Sequence, residues 1–284
     1  MQYGTKELLS DLKKLERNCG IKIFSLGRTH KKRELWCFSV GHGTKKVFFV
    51  GAHHAREYIS SYYLMRQAEM FFSAEKTEIR KLLSAFTLYF MPMANPDGVE
   101  ICLERDLPDP GLLMRYPNIR TWKANARGVD LNENYPCLWK QKRSYMLCPA
   151  SEGFKGYEAA SENEVKCIMK FCLKNDIYAA MTFHAKGEEI YYADKNSEGR
   201  IKNAYKAAKA ISESSRYKIM PPSCDASVYA AGFENWFRDV FSRPCLLIEL
   251  APYIGGALPF DMRRFDEDVY KKAQNIICDF LNIV

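Results

Sequence analysis

The chain has 284 residues, enough for one sizeable α/β domain or two small ones. With 47% apolar and 27% charged residues its proportions are those of an ordinary globular protein. The net charge of +8 comes from Lys and Arg scattered among Asp and Glu, with no zinc-finger spacing, RNA-recognition aromatic signature or basic helix, so a nucleic-acid partner is not expected.

Leu8, Leu12, Leu15 and Cys19 recur at helical spacing and Gly20 is placed to stop them, so residues 1–20 read as an N-terminal helix. This polar start has no apolar signal region, and no stretch of the chain reaches membrane-spanning length; the expectation is a cytoplasmic protein that does not engage membranes. Strand-like runs follow at 21–26, 34–40 and 46–51. The densest cationic cluster, His30-Lys31-Lys32-Arg33, lies between the first two, where a solvated hairpin turn accounts for it. The third run, KVFFVG, is apolar and β-rich, as befits a strand buried on both faces. It leads through HHARE into the helical stretch YISSYYLMRQAEMFF.

FTLYFMPMANPDG reads as a buried strand that ends in a turn at Asn95-Pro96-Asp97-Gly98. Residues 99–160 are irregular and rich in Pro, Arg, Asn and Tyr; so long an irregular stretch usually carries function, here substrate binding. Ser161-Glu162-Asn163-Glu164 reads as a capping box that opens a helix. IYAAMTFH, ending at His184, and CLLIEL, with Glu249 near its end, are core strands. A closing helix carries Val269, Ala273, Ile276, Ile277 and Phe280 on one face. Strands alternating with helices, without repeat or linker, predict a single α/β domain over 1–284: a three-layer α/β/α sandwich with a mixed, mostly parallel sheet. In open sheets of this kind ligands gather beyond the carboxyl ends of the strands. The ten cysteines include no CxxC pair, and several sit inside apolar runs (Cys167, Cys172, Cys245, Cys278), which fits buried thiols in a reduced protein better than a disulfide framework.

Zinc hydrolases need three His or carboxylate ligands, an open position and a base. Among five histidines, His54 stands three residues before Glu57 where a strand enters a helix, a spacing that turns both side chains to one side. On its own this pair equally suits a histidine capping the strand and a glutamate in the first helical turn. A lone histidine at a strand end, as His184 is, is more often a hydrogen-bonded structural residue than a ligand. Glu249, among Leu and Ile, bears a desolvation cost of several kcal/mol unless paired or near a cation, and burial raises its pKa toward the range of a general base; a buried salt bridge is the competing reading.

Taken in order, GAHHARE, NPDG, WKANARGVDLNENYP, SENE, FHAKGE and LLIEL resemble the M14 zinc metallocarboxypeptidase family over nearly the whole chain. The pattern looks closest to the bacterial branch that cleaves γ-D-glutamyl–diamino acid bonds in peptidoglycan-derived peptides, and WKANARGVDLN is its most specific piece. The resemblance implies a zinc carboxypeptidase-like fold and one zinc ion per chain held by His54, Glu57 and His184; His54 fits rather than His53 because only His54 stands three before Glu57. It implies a promoted-water mechanism with Glu249 as the general base, and Lys123 in the place of an oxyanion-stabilising arginine, with Arg127 as its competitor. Asn132 and Arg56 match substrate-binding positions. The partner implied is a peptide or muropeptide substrate, without an obligate protein partner.

Two departures bear on the substrate. The family's Asn-Arg clamp for a terminal carboxylate reads Asn132-Glu133 here, and a glutamate would repel that carboxylate. Glu133 suits an ammonium, such as the second centre of a diamino acid, or a substrate without a free carboxylate nearby; it equally suits a contact with a neighbouring Lys or Arg. The family's loop tyrosine falls on Ser227 when Trp236 and Glu249 are aligned without gaps, and Tyr229 reaches that position only with a local shift. A carboxypeptidase lacking the usual clamp and a non-catalytic binding protein on the same fold are the alternatives to a γ-D-glutamyl–diamino acid endopeptidase.

Overall fold

A computed structural model of the protein describes residues 2–73, 77–253 and 255–284. Among the described residues eight strands form one sheet: β1 (Ile23–Arg28), β2 (Glu34–Val40), β3 (Lys45–Gly51), β4 (Phe86–Met91), β5 (Ala179–Lys186), β6 (Glu189–Tyr191), β7 (Lys218–Ile219) and β8 (Cys245–Ala251). Their order is β1-β2-β4-β3-β5-β8-β6-β7. The central run β4-β3-β5-β8 is parallel, while β2 pairs antiparallel with β4 and β6 antiparallel with β8. This is the mixed, mostly parallel sheet expected of the sequence.

The sheet is covered on both faces, and the period of two along each strand decides which side chain goes where. Val47 and Phe49 of β3, Met181 and Phe183 of β5, and Leu246 and Ile248 of β8 enter one core, packed with residues from the helices Thr5–Cys19, Ile59–Ser73, Ala204–Ser215 and Ile276–Leu281. Phe48, Val50, Ala180 and Cys245 enter the other, with the helices Asn163–Asn175 and Phe233–Phe241 and with Leu131 and Tyr135 of the irregular segment. Val47, Phe48, Phe49 and Val50 are each fully buried, so KVFFVG is a strand covered on both faces. By the same alternation His184 and Glu249 belong to the second face. They are register partners on the adjacent strands β5 and β8.

Several local expectations change. The run His30–Arg33 does turn between the antiparallel strands β1 and β2, but it is not simply solvated: Arg33 pairs with Asp97 and Asp106 at 2.8 Å each, and Lys31 with Asp106 at 2.8 Å. Asn95-Pro96-Asp97-Gly98 opens a helix, Pro96–Cys102, rather than a free turn; Asn95 Oδ1 accepts from the Gly98 N–H and Pro96 occupies the first turn, where its missing N–H costs nothing. No capping box forms at Ser161–Glu164. The Ser161 hydroxyl donates to Glu162 Oε1 at 2.7 Å, and Glu162 is drawn toward Asn125 instead. The closing segment keeps its five apolar residues buried and is helical, though not one regular helix: a 3-10 turn at Met262–Arg264, a π-helical stretch at Asp266–Tyr270 and a short α-helical piece at Lys271–Ala273 precede the helix Ile276–Leu281. Cys19, in the last turn of the first helix, is exposed. Among the described residues no helix is long and apolar enough to cross a membrane.

Candidate active site

β3 ends at Gly51, and the chain then takes a left-handed conformation at Ala52 (φ 48°), rare for a residue with a side chain and of the kind that clusters at functional sites. It is held there: the Ala52 N–H donates to Ser60 Oγ at 2.8 Å and its carbonyl accepts from the Asn95 N–H at 3.0 Å. This sharp exit delivers His54 to the start of the short turn Ala55–Glu57, which swings Glu57 back toward β5. β5 continues two residues past His184, so this histidine lies within the strand, near its end, rather than terminating it.

Three atoms from these elements meet. His54 Nδ1 is 3.0 Å from His184 Nδ1, and each lies close to Glu57 Oε2, at 3.0 and 2.9 Å. Hydrogen bonds alone do not account for this triangle. Two ring N–H groups aimed at the carboxylate would leave the nitrogens 3.0 Å apart with protons facing, and one bare nitrogen leaves an acceptor beside an acceptor. A cation between the three resolves the conflict. Tetrahedral zinc ligands with bonds of roughly 2.0–2.1 Å lie about 3.3 Å apart, close to the separations here. Among the described residues this is the group of His, Cys and carboxylate donors able to hold a metal. The donor set, two imidazoles and one carboxylate, is that of a zinc centre that leaves a position open.

Asp130, absent from the residues read from the sequence although it lies inside WKANARGVDLN, anchors this centre from behind. It is fully buried; Oδ1 is 3.2 Å from His54 Nε2 and Oδ2 2.9 Å from the Lys123 ammonium. With Nε2–H donating to Asp130, the His54 Nδ1 lone pair faces Glu57 and His184. Burial alone lowers the His54 pKa, but in the metal-free site Glu57 and Asp130 outweigh it and push it up to about 9, so a cation bound at Nδ1 takes the place of a proton. Glu57, despite burial, is held well below the usual carboxylate range by His54 and His184. His53 takes no part in the triangle: its Nε2 is 2.9 Å from the Tyr135 hydroxyl, and burial with the neighbouring histidines keeps it far below the ordinary histidine range.

A cavity of about 280 Å³ opens beside the triangle, and His54, Lys123, Asn132, Glu133, Tyr229 and Glu249 all reach its wall. Glu249 Oε2 accepts from the Lys186 N–H at 2.6 Å, and burial together with the Glu57 carboxylate pushes its pKa up to about 7 against the pull of His184. The Lys123 ammonium, half-buried on the cavity wall, is stabilised in its charged form by Asp130 and Glu57. Asn132 sits on the turn Leu131–Glu133, where its side-chain oxygen accepts from the Phe233 N–H. Glu133 faces the cavity and is also 3.3 Å from the Lys142 ammonium, so the contact with a neighbouring lysine and the cavity position hold together.

The remaining candidates are placed differently. Arg127 is turned to Glu162 at 3.3 Å, half exposed and off the cavity wall, which leaves Lys123 as the cation beside His54. Arg56 is tied to the Thr121 carbonyl and to Glu152, at 2.9 and 2.8 Å, and does not line this cavity. Tyr229 rather than Ser227 lines it, at the end of the helical turn Ala226–Tyr229. The wall also holds Lys142, Tyr191, Asp194, Glu234, Asn235 and Arg238, none of them marked by a motif.

Comparison with known proteins agrees with this architecture. The family model for zinc carboxypeptidases, Peptidase M14, matches residues 8–238. The chain is similar to gamma-D-glutamyl-L-diamino acid endopeptidase 1 of Lysinibacillus sphaericus, 25% identical over 290 residues that cover 96% of this chain and 71% of that protein. It is also similar to human carboxypeptidase A6, 27% identical over 233 residues, 76% of this chain and 52% of that one. The fold matches the crystal structure of thrombin activatable fibrinolysis inhibitor with a TM-score of 0.80 at 20% identity, over 99% of this chain and 74% of the other. A family match over most of the chain, on an α/β/α sandwich whose strand ends converge two histidines and a glutamate, makes this protein a zinc metallopeptidase of the M14 carboxypeptidase family.

Proposed function

We propose that the protein hydrolyses the amide bond between a γ-D-glutamyl group and a diamino acid in peptidoglycan-derived peptides, through one zinc ion held by His54, Glu57 and His184. The observation that carries this reading is the shared geometry: His54 of the His54-Glu57-His184 triangle, the half-buried Glu249 and the Lys123 ammonium border one cavity whose wall presents Glu133 where a carboxylate clamp is expected. When bound, zinc supplies a Lewis acid that polarises the scissile carbonyl and acidifies water. Glu249, poised by burial near neutrality, takes the proton of the attacking water and returns it to the departing amine. Lys123, fixed by Asp130, faces the charge that develops on the carbonyl oxygen, as a point charge without the forked geometry of arginine. Asn132 and Glu133 hold the substrate, with Tyr229 on the opposite stretch of chain. Similarity to an endopeptidase of this bond type supports the choice of substrate.

One observation favours a second reading. Lys142 lies within reach of Glu133, and its ammonium on the cavity wall offers a terminal carboxylate a cation despite the missing arginine, as a carboxypeptidase requires. Digestion of a defined muropeptide, γ-D-glutamyl–meso-diaminopimelate flanked on both sides, with mass analysis of the products decides. Cleavage at the γ-D-glutamyl bond is expected. Removal of only the C-terminal residue supports the second reading, and an intact muropeptide in the presence of one bound zinc overturns the first.

A further inference from the structure

A second polar group shares the cavity wall, away from the residues given roles above: Asp194, Glu234, Asn235 and Arg238. All four are buried, Arg238 to 2% exposure. Three of them come from the helix Phe233–Phe241, and Asp194 from the chain that follows β6. Asp194 is fully engaged. Its Oδ1 accepts from the N–H groups of Asn196 and Ser197, and its Oδ2 from Asn235 Nδ2 at 2.9 Å. It therefore answers Arg238 only at long range, 3.7 Å from Nη2. Arg238 Nε donates to the Glu234 carbonyl at 3.0 Å, and Nη1 is buried with no hydrogen-bond partner. On the same cavity Glu234 Oε2, Asn235 Oδ1 and Glu133 Oε2 are buried acceptors that also lack one.

Buried polar atoms are almost always satisfied, and charged ones are costly to leave open. Here one open cationic donor and three open acceptors, two of them carboxylates, surround a single cavity. An apolar side chain satisfies none of them, and a simple ammonium leaves Arg238 unanswered. A group that presents an anion and an N–H donor side by side satisfies both kinds. We propose that Arg238 is a specificity-determining residue that receives a carboxylate on the substrate's side chain, while Glu234 and Glu133 take the ammonium beside it. The substrate class is then an amide of an amino acid whose side chain ends in a second amino-acid head. This rests on reading the cavity as the substrate pocket of an amide hydrolase.

Binding, read without turnover, tests it. Two dipeptides, γ-D-glutamyl–meso-diaminopimelate and γ-D-glutamyl–L-lysine, differ only in the distal carboxylate. In calorimetric titrations of the zinc-loaded Glu249→Gln protein the first should bind on the order of 100-fold tighter, the weight of a buried charge-assisted pair. Adding Arg238→Gln should remove that advantage by weakening the first dipeptide alone, and Arg238→Lys should keep part of it. Equal affinity of the two dipeptides while Arg238 is intact overturns the proposal, and so does a parallel loss on both in Arg238→Gln. The first comparison needs no change at Arg238, so a poorly folded variant does not remove the test. Failure of the hydrolase reading shows itself separately: the unsubstituted protein then cleaves neither dipeptide, while their difference in affinity persists.

Discussion

Asp130→Asn separates the anchoring of the centre from its ligands. The substitution keeps the volume of a fully buried side chain and removes its charge. Two contacts are at stake, His54 Nε2 at 3.2 Å and the Lys123 ammonium at 2.9 Å. An amide has one accepting atom. Whichever donor it satisfies, its NH2 group is turned against the other, donor to donor. Loss of one partner from a buried ion pair costs about 3–5 kcal/mol. The Lys123 side chain keeps 23% of its exposure, so water can partly replace the lost charge, and the lower end, about 3 kcal/mol, is expected. His54 loses the acceptor that directs Nε2–H away from the triangle, and metal affinity should fall roughly 10–100-fold. Urea unfolding of the metal-free protein at pH 7 measures the first effect, and competition with a chromophoric chelator the second. Stability within about 1 kcal/mol of the parent, together with unchanged metal affinity, would refute the argument that Asp130 both balances Lys123 and orients His54.

Glu249→Gln retains the shape of the side chain but cannot accept a proton. Because Glu249 is outside the triangle, zinc content should stay at about one per chain while turnover drops by roughly 10²–10⁴ or more; metal analysis beside an amide-hydrolysis assay checks both, and full activity would remove Glu249 from the base role. Glu164→Gln tests a carboxyl remote from the chemistry. It is completely buried with neither oxygen hydrogen-bonded, and burial pushes its pKa up to about 8. The folded chain therefore holds a proton that the unfolded chain, near pKa 4.3, gives up. Stability from this group is whole below about pH 4 and is lost as the pH climbs to about 8, at roughly 1.36 kcal/mol per unit, or about 5 kcal/mol in all. Urea midpoints at pH 5, 7 and 9 should converge for the glutamine variant relative to the parent, which should be the less stable at pH 9; parallel profiles would mean that the carboxyl ionises freely in the folded state.

What the sequence discloses about this site follows the range of the contacts. His54 and Glu57 are legible because three residues separate them, and one turn brings their donors within 3.0 Å. His184 and Glu249 are each legible as polar residues near the ends of apolar strands. That β5 and β8 are neighbours, in a register that sets His184 beside Glu249, is a matter of topology that no local pattern carries. The hydrophobic runs of β2, β3 and β4 are read almost to the residue because their alternation is enforced by two cores at once. The helices Ala204–Ser215 and Phe233–Phe241, by contrast, add to those the motifs pointed to. The turn expected at Asn95 is a helix start because a capping asparagine followed by proline serves both purposes, and only tertiary packing chooses between them. Glu133 shows the same limit within the site. Its contact with Lys142 depends on how the irregular segment folds back on itself, so its exposure to the cavity and its ion pair are invisible together in the sequence.

The two halves of the site are also held by different parts of the fold. His184 and Glu249 ride on β5 and β8, and His54 and Glu57 on the turn just beyond β3, strands that are buried over most of their length and whose geometry the cores dictate, whereas the cavity wall is drawn largely from the segment around Asn132 and Lys142, residues 221–230 and one helix. A change of substrate can therefore be made in the wall without moving the donors. That separation lets Glu133 stand on the cavity wall beside the His54-Glu57-His184 group without disturbing it. It also means that substitutions at Glu133, Tyr229 or Arg238 should alter which amide is cleaved and leave zinc occupancy alone, while a substitution that disturbs the orientation of a donor, as at Asp130 beside His54, should do the reverse.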